Sequence, residues 1–137
     1  MKLQDAQVAV IEDNARSLKL LQALLIDHIA VKAYYSQVSG AMFFRWLDSP
    51  GSWIPDIILL DIQLPREDGY QILRQIQQRA GLAQTRVVAV TANIMKHDLA
   101  QLRAAGFDSL LGKPIRVAAF EDQLTRILNG ESLWDVR

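Results

Sequence analysis

Short apolar runs alternate along this chain with longer segments in which apolar residues recur every three or four positions. The first run is Val8-Ala9-Val10-Ile11, which stops at Glu12-Asp13-Asn14. Beyond it, Leu18, Leu21, Leu25 and Ile29 keep the period of a helix with one buried side, and Asp13 or Asn14 can cap its start. Val31 to Tyr35 predicts a second, shorter strand. Ser39 to Leu47 predicts a helix with Met42, Phe43, Trp46 and Leu47 inward, followed by a loop in which Pro50-Gly51 and Pro55 bracket Trp53. The third run, Ile57-Ile58-Leu59-Leu60, ends at Asp61, and a helix is predicted from about Tyr70 to Gln78. The fourth run, Val87-Val88-Ala89-Val90, ends at Thr91. Met95 to Ala105 predicts a helix with Leu99 and Leu102 inward, stopped by Gly106 at its C′ position. Leu110-Leu111 is the shortest run and leads to Lys113-Pro114; a last helix carries Phe120, Leu124, Ile127 and Leu128. The stretch from Asn129 to Arg137 is expected to fray.

Strands that are apolar throughout are buried on both faces, as in parallel sheets covered by helices. Regular strand–helix alternation with right-handed crossovers gives a doubly wound α/β fold. Such folds bind ligands in the crevice outside the carboxyl ends of their strands.

Composition narrows this picture further. The chain has 137 residues, half of them apolar, which suits one globular unit. That unit is expected over 1–128, with 129–137 as a tail. Fifteen basic residues balance fifteen acidic ones, so no bulk charge draws the chain to nucleic acid or an anionic membrane. There is no cysteine, which excludes disulfides, thiolate metal sites and cysteine nucleophiles. No apolar run approaches the ~20 residues that span a bilayer, and the start, Met1 to Gln7, lacks a signal-peptide core. The expectation is a cytoplasmic domain.

The strand ends carry the chemistry. The first run ends in Glu12-Asp13, the third in Asp61, the fourth in Thr91 and the fifth in Lys113. In a parallel sheet these residues share one edge. Three carboxylates in one crevice repel, and at least one of them gains proton affinity unless a cation intervenes. Ligands that are all oxygen suit a hard cation, with Mg2+ the first choice. An aspartate can attack phosphorus and form an acyl phosphate, and an ammonium and a hydroxyl can hold the phosphate oxygens.

These segments resemble the receiver domains of bacterial two-component response regulators. The resemblance runs over residues 6 to 128 and rests on Val10-Ile11-Glu12-Asp13-Asn14, Leu60-Asp61-Ile62-Gln63-Leu64-Pro65, Asp68-Gly69, Val90-Thr91-Ala92-Asn93, Gly106 and Lys113-Pro114, in that order. It implies a flavodoxin-like (βα)5 sandwich with a five-stranded parallel sheet in the order 2-1-3-4-5. It implies that Asp61 takes a phosphoryl group from a sensor histidine kinase or a histidine phosphotransfer protein in a phosphorelay. In the family pattern Asp13 holds Mg2+ directly, Glu12 acts through water, and the Gln63 position supplies a backbone carbonyl. Thr91 moves toward the phosphate on activation, Lys113 pairs with its oxygens, and the Lys113-Pro114 bond is cis. Gln63 and Asn93 flank the pocket and tune the acyl phosphate's lifetime. The output surface implied is the fourth helix, fifth strand and fifth helix, acting on a protein target and not on nucleic acid or membrane; a homodimer through it is an option. With no DNA-binding or catalytic domain after residue 128, output is expected by protein contact, by phosphate relay, or as part of a hybrid kinase.

One position departs from the pattern. Leu110 stands where many family members carry an aromatic residue that swings inward with the threonine. Phe107 is a candidate substitute. Two alternatives therefore stand beside the switch: a receiver-like adaptor that is never phosphorylated, and a phosphatase using Asp61 as nucleophile. The second lacks an acid two residues after Asp61, where Gln63 stands. Plainer readings also apply. Asp61 can cap a turn, Glu12 and Asp13 can favour a helix dipole, and Lys113 and Thr91 taken singly are ordinary surface and structural residues. Lys96, His97 and Arg103 are expected on a solvated helix face, and Trp134 to dock on the domain or on a second copy.

Overall fold

The computed structural model describes residues 1–94 and 99–135. Five strands form one parallel sheet: β1 (Gln7–Ile11), β2 (Ala33–Gln37), β3 (Ile57–Asp61), β4 (Arg86–Thr91) and β5 (Ser109–Gly112). Their order is β2-β1-β3-β4-β5, as the resemblance implies. The helices are α1 (Ala15–Gln22), α2 (Gly40–Leu47), α3 (Gly69–Gln77), α4 (Leu99–Ala105) and α5 (Val117–Leu128).

Successive residues of a strand face opposite sides, so each apolar run feeds two cores. Val8, Val10, Ile57, Leu59, Val88, Val90 and Leu111 pack on one side with Leu21, Leu25, Phe120 and Leu124 from α1 and α5. Ala9, Ile11, Ile58, Leu60, Ala89 and Leu110 pack on the other with Phe43, Ile72, Leu73, Ile76 and Leu102 from α2, α3 and α4. With both faces covered, the strand ends are where polar groups can gather.

Local chemistry sets the helix starts. Asn14 caps α1 by accepting from the Ser17 amide at 3.0 Å, and Ser39 caps α2 from the Met42 amide at 3.2 Å. Asp68 caps α3 through the Tyr70 amide at 2.9 Å. Gly69 is required by space, since a Cβ there would lie 2.7 Å from the Cα of Ile62. Gly106 ends α4 at φ +107°, a left-handed conformation that side chains disfavour.

Several expectations need correction. Helix α1 runs on as a π-helical segment over Ala23–Ile29, closed by Ala30 at φ +62°. Strand β2 starts two residues later than predicted, because the Val31 amide still bonds Leu25 of that segment and pairing begins at Ala33 opposite Gln7. In α2 it is Phe44, not Met42, that joins Phe43 inside; Met42 is exposed, a helix turn's fraction away from the buried stripe. A short 3-10 turn at Ala80–Leu82 buries Leu82. The first residues predicted for the fourth helix, 95–98, lie outside the described residues. The largest correction is the tail. Leu133 to Asp135 do not fray but lie along β5: the Leu110 amide donates to the Leu133 carbonyl at 2.8 Å, and the Asp135 amide to the Leu110 carbonyl at 2.9 Å.

Candidate functional site

The sheet topology brings Glu12, Asp61, Thr91 and Lys113 to the carboxyl edge, as the sequence predicts. Glu12 and Asp61 are 1% and 4% exposed, which for carboxylates demands partners, whereas Asp13 is exposed. Oxygens of Glu12, Asp13 and Asp61 lie within 4.8 Å of one another. The Lys113 ammonium reaches two of the three, at 2.5 Å from Glu12 Oε1 and 3.0 Å from Asp61 Oδ2. Its peptide bond to Pro114 is cis, and its amide donates to the Thr91 carbonyl at 2.8 Å, which seats it beside β4.

Backbone amides finish the arrangement. The Gln63 amide donates to Asp61 Oδ1 at 2.8 Å, so both oxygens of Asp61 are held. The Asn14 amide donates to Glu12 Oε2 at 3.1 Å. Thr91 is fully buried, and its hydroxyl accepts from the Asn93 amide at 3.1 Å.

Proton affinities follow from this packing. Burial raises the Glu12 carboxyl to about 7, helped by its hydrogen bond to Asp61 and opposed by Lys113. For Asp61 burial also acts upward, but hydrogen bonds from Glu12, the Gln63 amide and Lys113 outweigh it and hold the carboxyl below its ordinary value. Burial lowers Lys113, yet the two carboxylates more than offset it and keep the ammonium charged. Near neutral pH Glu12 is therefore only partly ionised, while Asp61 stays ionised. Like charges this close separate their affinities in this way. The donor set is all oxygen, crowded and short of positive charge, which is what a hard divalent cation requires.

Three contributors escaped the sequence reading. The amides of Asn14 and Gln63 are invisible in side-chain identity, although an Asp two residues before an amide is a known turn signal. Glu67 is the third. Its carboxylate accepts from the Gly40 amide at 2.8 Å and the Ala41 amide at 3.1 Å, tying the loop after Asp61 to the start of α2. Gln63 is exposed, and what the structure shows of it is its amide on Asp61. Phe107, considered as a stand-in aromatic, is buried edge-on against Tyr70 with centroids 5.8 Å apart. Arg103 does not stand free: its guanidinium lies 4.7 Å above the ring of Trp134, which has docked on its own domain.

Comparison with known proteins agrees with this geometry. The family model described as response regulator receiver domain matches residues 8–125. The polar-differentiation response regulator DivK of Brucella ovis is 31% identical over 121 residues, which cover 88% of this chain and 94% of its own. A segment of hybrid signal transduction histidine kinase L of Dictyostelium discoideum is 31% identical over 119 residues, 85% of this chain but 7% of that protein. Among solved structures, the receiver domain of the sensor histidine kinase PA1611 from Pseudomonas aeruginosa, with a magnesium ion in its active site cleft, superposes with a TM-score of 0.78 at 24% identity, covering 92% of this chain and 99% of that one. At that identity the likeness speaks for the fold. With the family model spanning both the acidic edge and Lys113, the chain belongs to the response regulator receiver domain family of two-component systems.

Proposed function

We propose that Asp61 accepts a phosphoryl group from a histidine kinase or a histidine phosphotransfer protein, and that the modified domain then acts by contact with a protein target. The observation that carries this reading is a buried aspartate fixed by one amide and one ammonium inside a three-carboxylate group. Receiver domains in general are signalling switches and not turnover enzymes, which agrees with the lack of an acid at Gln63.

Glu12, Asp13 and Asp61, with the main-chain carbonyl of Gln63, would hold Mg2+. When bound, that ion supplies positive charge against the oxygens of the incoming group. The protein's own residues do the rest. The low proton affinity of Asp61 keeps a carboxylate oxygen available as nucleophile at neutral pH. That oxygen forms a bond to phosphorus as the phosphorus–nitrogen bond of the donor phosphohistidine breaks. The bonding pair leaves with the imidazole nitrogen, and the product is an aspartyl phosphate. Lys113, now bridging Glu12 and Asp61, would turn to a phosphoryl oxygen as a point charge. The hydroxyl of Thr91, one residue beyond the pairing of Asp61 with Val90, would donate to another.

A second reading, an adaptor that is never phosphorylated, draws support from Leu110 at the usual aromatic position. Incubation with acetyl phosphate and Mg2+, followed by intact mass measurement, separates the two. The switch requires a gain of one phosphoryl group that Asp61→Asn lacks. No gain under any donor or metal condition overturns it in favour of the adaptor, and sustained phosphate release from many substrates would favour a hydrolase.

A further inference from the structure

A short segment after α5 bridges to the outer edge of β5. Around Leu110 the segment Leu133–Asp135 makes the two backbone hydrogen bonds of a parallel pair, with Trp134 opposite Leu110. Its side chains alternate as a strand's must. Leu133 packs with the cluster under α1 and α5, and Trp134 with the cluster under α2, α3 and α4.

The segment touches every element of the output surface named above. Arg103 of α4 covers the Trp134 ring. Ser109 and Leu110 of β5 hold its backbone, the Leu133 amide donating to the Ser109 hydroxyl at 3.0 Å. Asp135 pairs with Arg116, at the N-terminal cap of α5, at 3.6 Å. Glu131 meets Arg126 in the last turn of α5, and its carbonyl accepts from Arg86 at 2.9 Å. At the other end Asp135 Oδ2 accepts from the Gly112 amide at 3.4 Å, one residue before Lys113.

We infer that the β5 edge and the adjoining face of α4 form an acceptor site for an extended Leu-Trp-Asp strand, and that residues 131–135 occupy it in cis as a strap. The recognition chemistry is shown by the occupant: main-chain pairing on either side of Leu110, an indole beneath a guanidinium, and a carboxylate between Arg116 and the Gly112 amide. Addition of a strand to an exposed edge is a general mode of peptide recognition, with backbone bonds giving affinity and side-chain pockets giving selectivity. A protein partner using this edge must present a segment of that pattern and displace the strap. That this face is the output face rests on the proposed function; the strand site itself does not, because it needs no phosphate on Asp61.

The test uses the full chain and a labelled synthetic peptide, Glu-Ser-Leu-Trp-Asp-Val-Arg. In the natural chain the tethered strap competes at high effective concentration. The peptide should therefore bind a Leu133→Ala, Trp134→Ala double variant about tenfold or more tighter than the natural chain. A peptide with Ala in place of Trp should lose that binding. Equal binding to both proteins, or none to a double variant that circular dichroism shows to be folded, overturns the inference. A second measurement needs no variant. In the natural chain the amides of Leu110 and Asp135 should exchange hydrogen together, by local opening and faster than those of Leu59 and Val88. Exchange of all four only on global unfolding would make the segment a fixed part of the sheet and overturn the strap.

Discussion

The acidic edge at β1 and β3 and the strapped edge at β5 border the same sheet, yet opposite physics holds them. At the acidic edge, side-chain charge decides everything: two buried carboxylates survive because one ammonium bridges them. At β5 two main-chain hydrogen bonds and one half-buried indole do most of the holding, with the Asp135 carboxylate paired to Arg116 beside them. A charged site answers to pH and to single substitutions, whereas a paired edge answers to burial and is largely indifferent to pH between 5.5 and 8.

The strongest way to break that contrast is at Lys113. Lys113→Ala leaves Glu12 and Asp61 buried without their cation. It should cost about 2–3 kcal/mol in urea unfolding at pH 8 without divalent metal, somewhat under the usual figure for a broken buried pair because the lysine is partly solvated. The loss should shrink at pH 5.5, where Glu12 is protonated.

The pH dependence itself comes next. Glu12 is raised from 4.5 to about 7, so across that interval the folded protein keeps a proton that the unfolded chain has released. The stability it contributes is complete below about pH 4.5 and is lost as pH climbs through 7. Asp61, with its lowered affinity, acts the other way, but only at acid pH, where its contribution fades as pH falls. Metal-free stability should therefore drop by about 2 kcal/mol between pH 5.5 and pH 8. Glu12→Gln should flatten the profile. A flat profile in the natural chain would contradict the raised proton affinity of Glu12.

At β5 the effects are smaller and should not vary over the same pH range. Trp134→Ala removes a partly buried indole and should cost about 1–2 kcal/mol at either pH. Arg103→Ala removes only the cation above that ring and should cost about 0.5 kcal/mol. A strong pH slope in the Trp134→Ala difference would erase the distinction between the two edges.

The same contrast explains what was legible in the sequence. Strands buried on both faces must be apolar throughout, so β1, β3 and β4 stood out, and the polar residues that end them marked the site. Glu12, Asp13, Asp61, Thr91 and Lys113 could be named because their chemistry is in their side chains. The amides of Gln63 and Asn14 could not, since every residue but proline has one. The strap was missed for a related reason. Leu133-Trp134-Asp135 is too short for a periodic signal, and its pairing is a backbone contact across 24 residues to β5. Edge strand β2 slipped by two residues because Val31 serves the preceding helical segment first. Met42 and Phe44 are both apolar neighbours of Phe43, so the sequence does not say which of them turns inward; it is Phe44 that joins the cluster with Ile72, Leu73 and Ile76.

The central claim is that the phosphoryl group resides on Asp61, and its position can be read directly. After acetyl phosphate and Mg2+ treatment, borohydride reduces an aspartyl phosphate to homoserine, and peptide mass spectrometry locates the change. Homoserine is expected at residue 61 and is absent without the phosphodonor. Reduction at Glu12 or Asp13, or phosphate stable to borohydride on a serine, threonine or histidine, would contradict it.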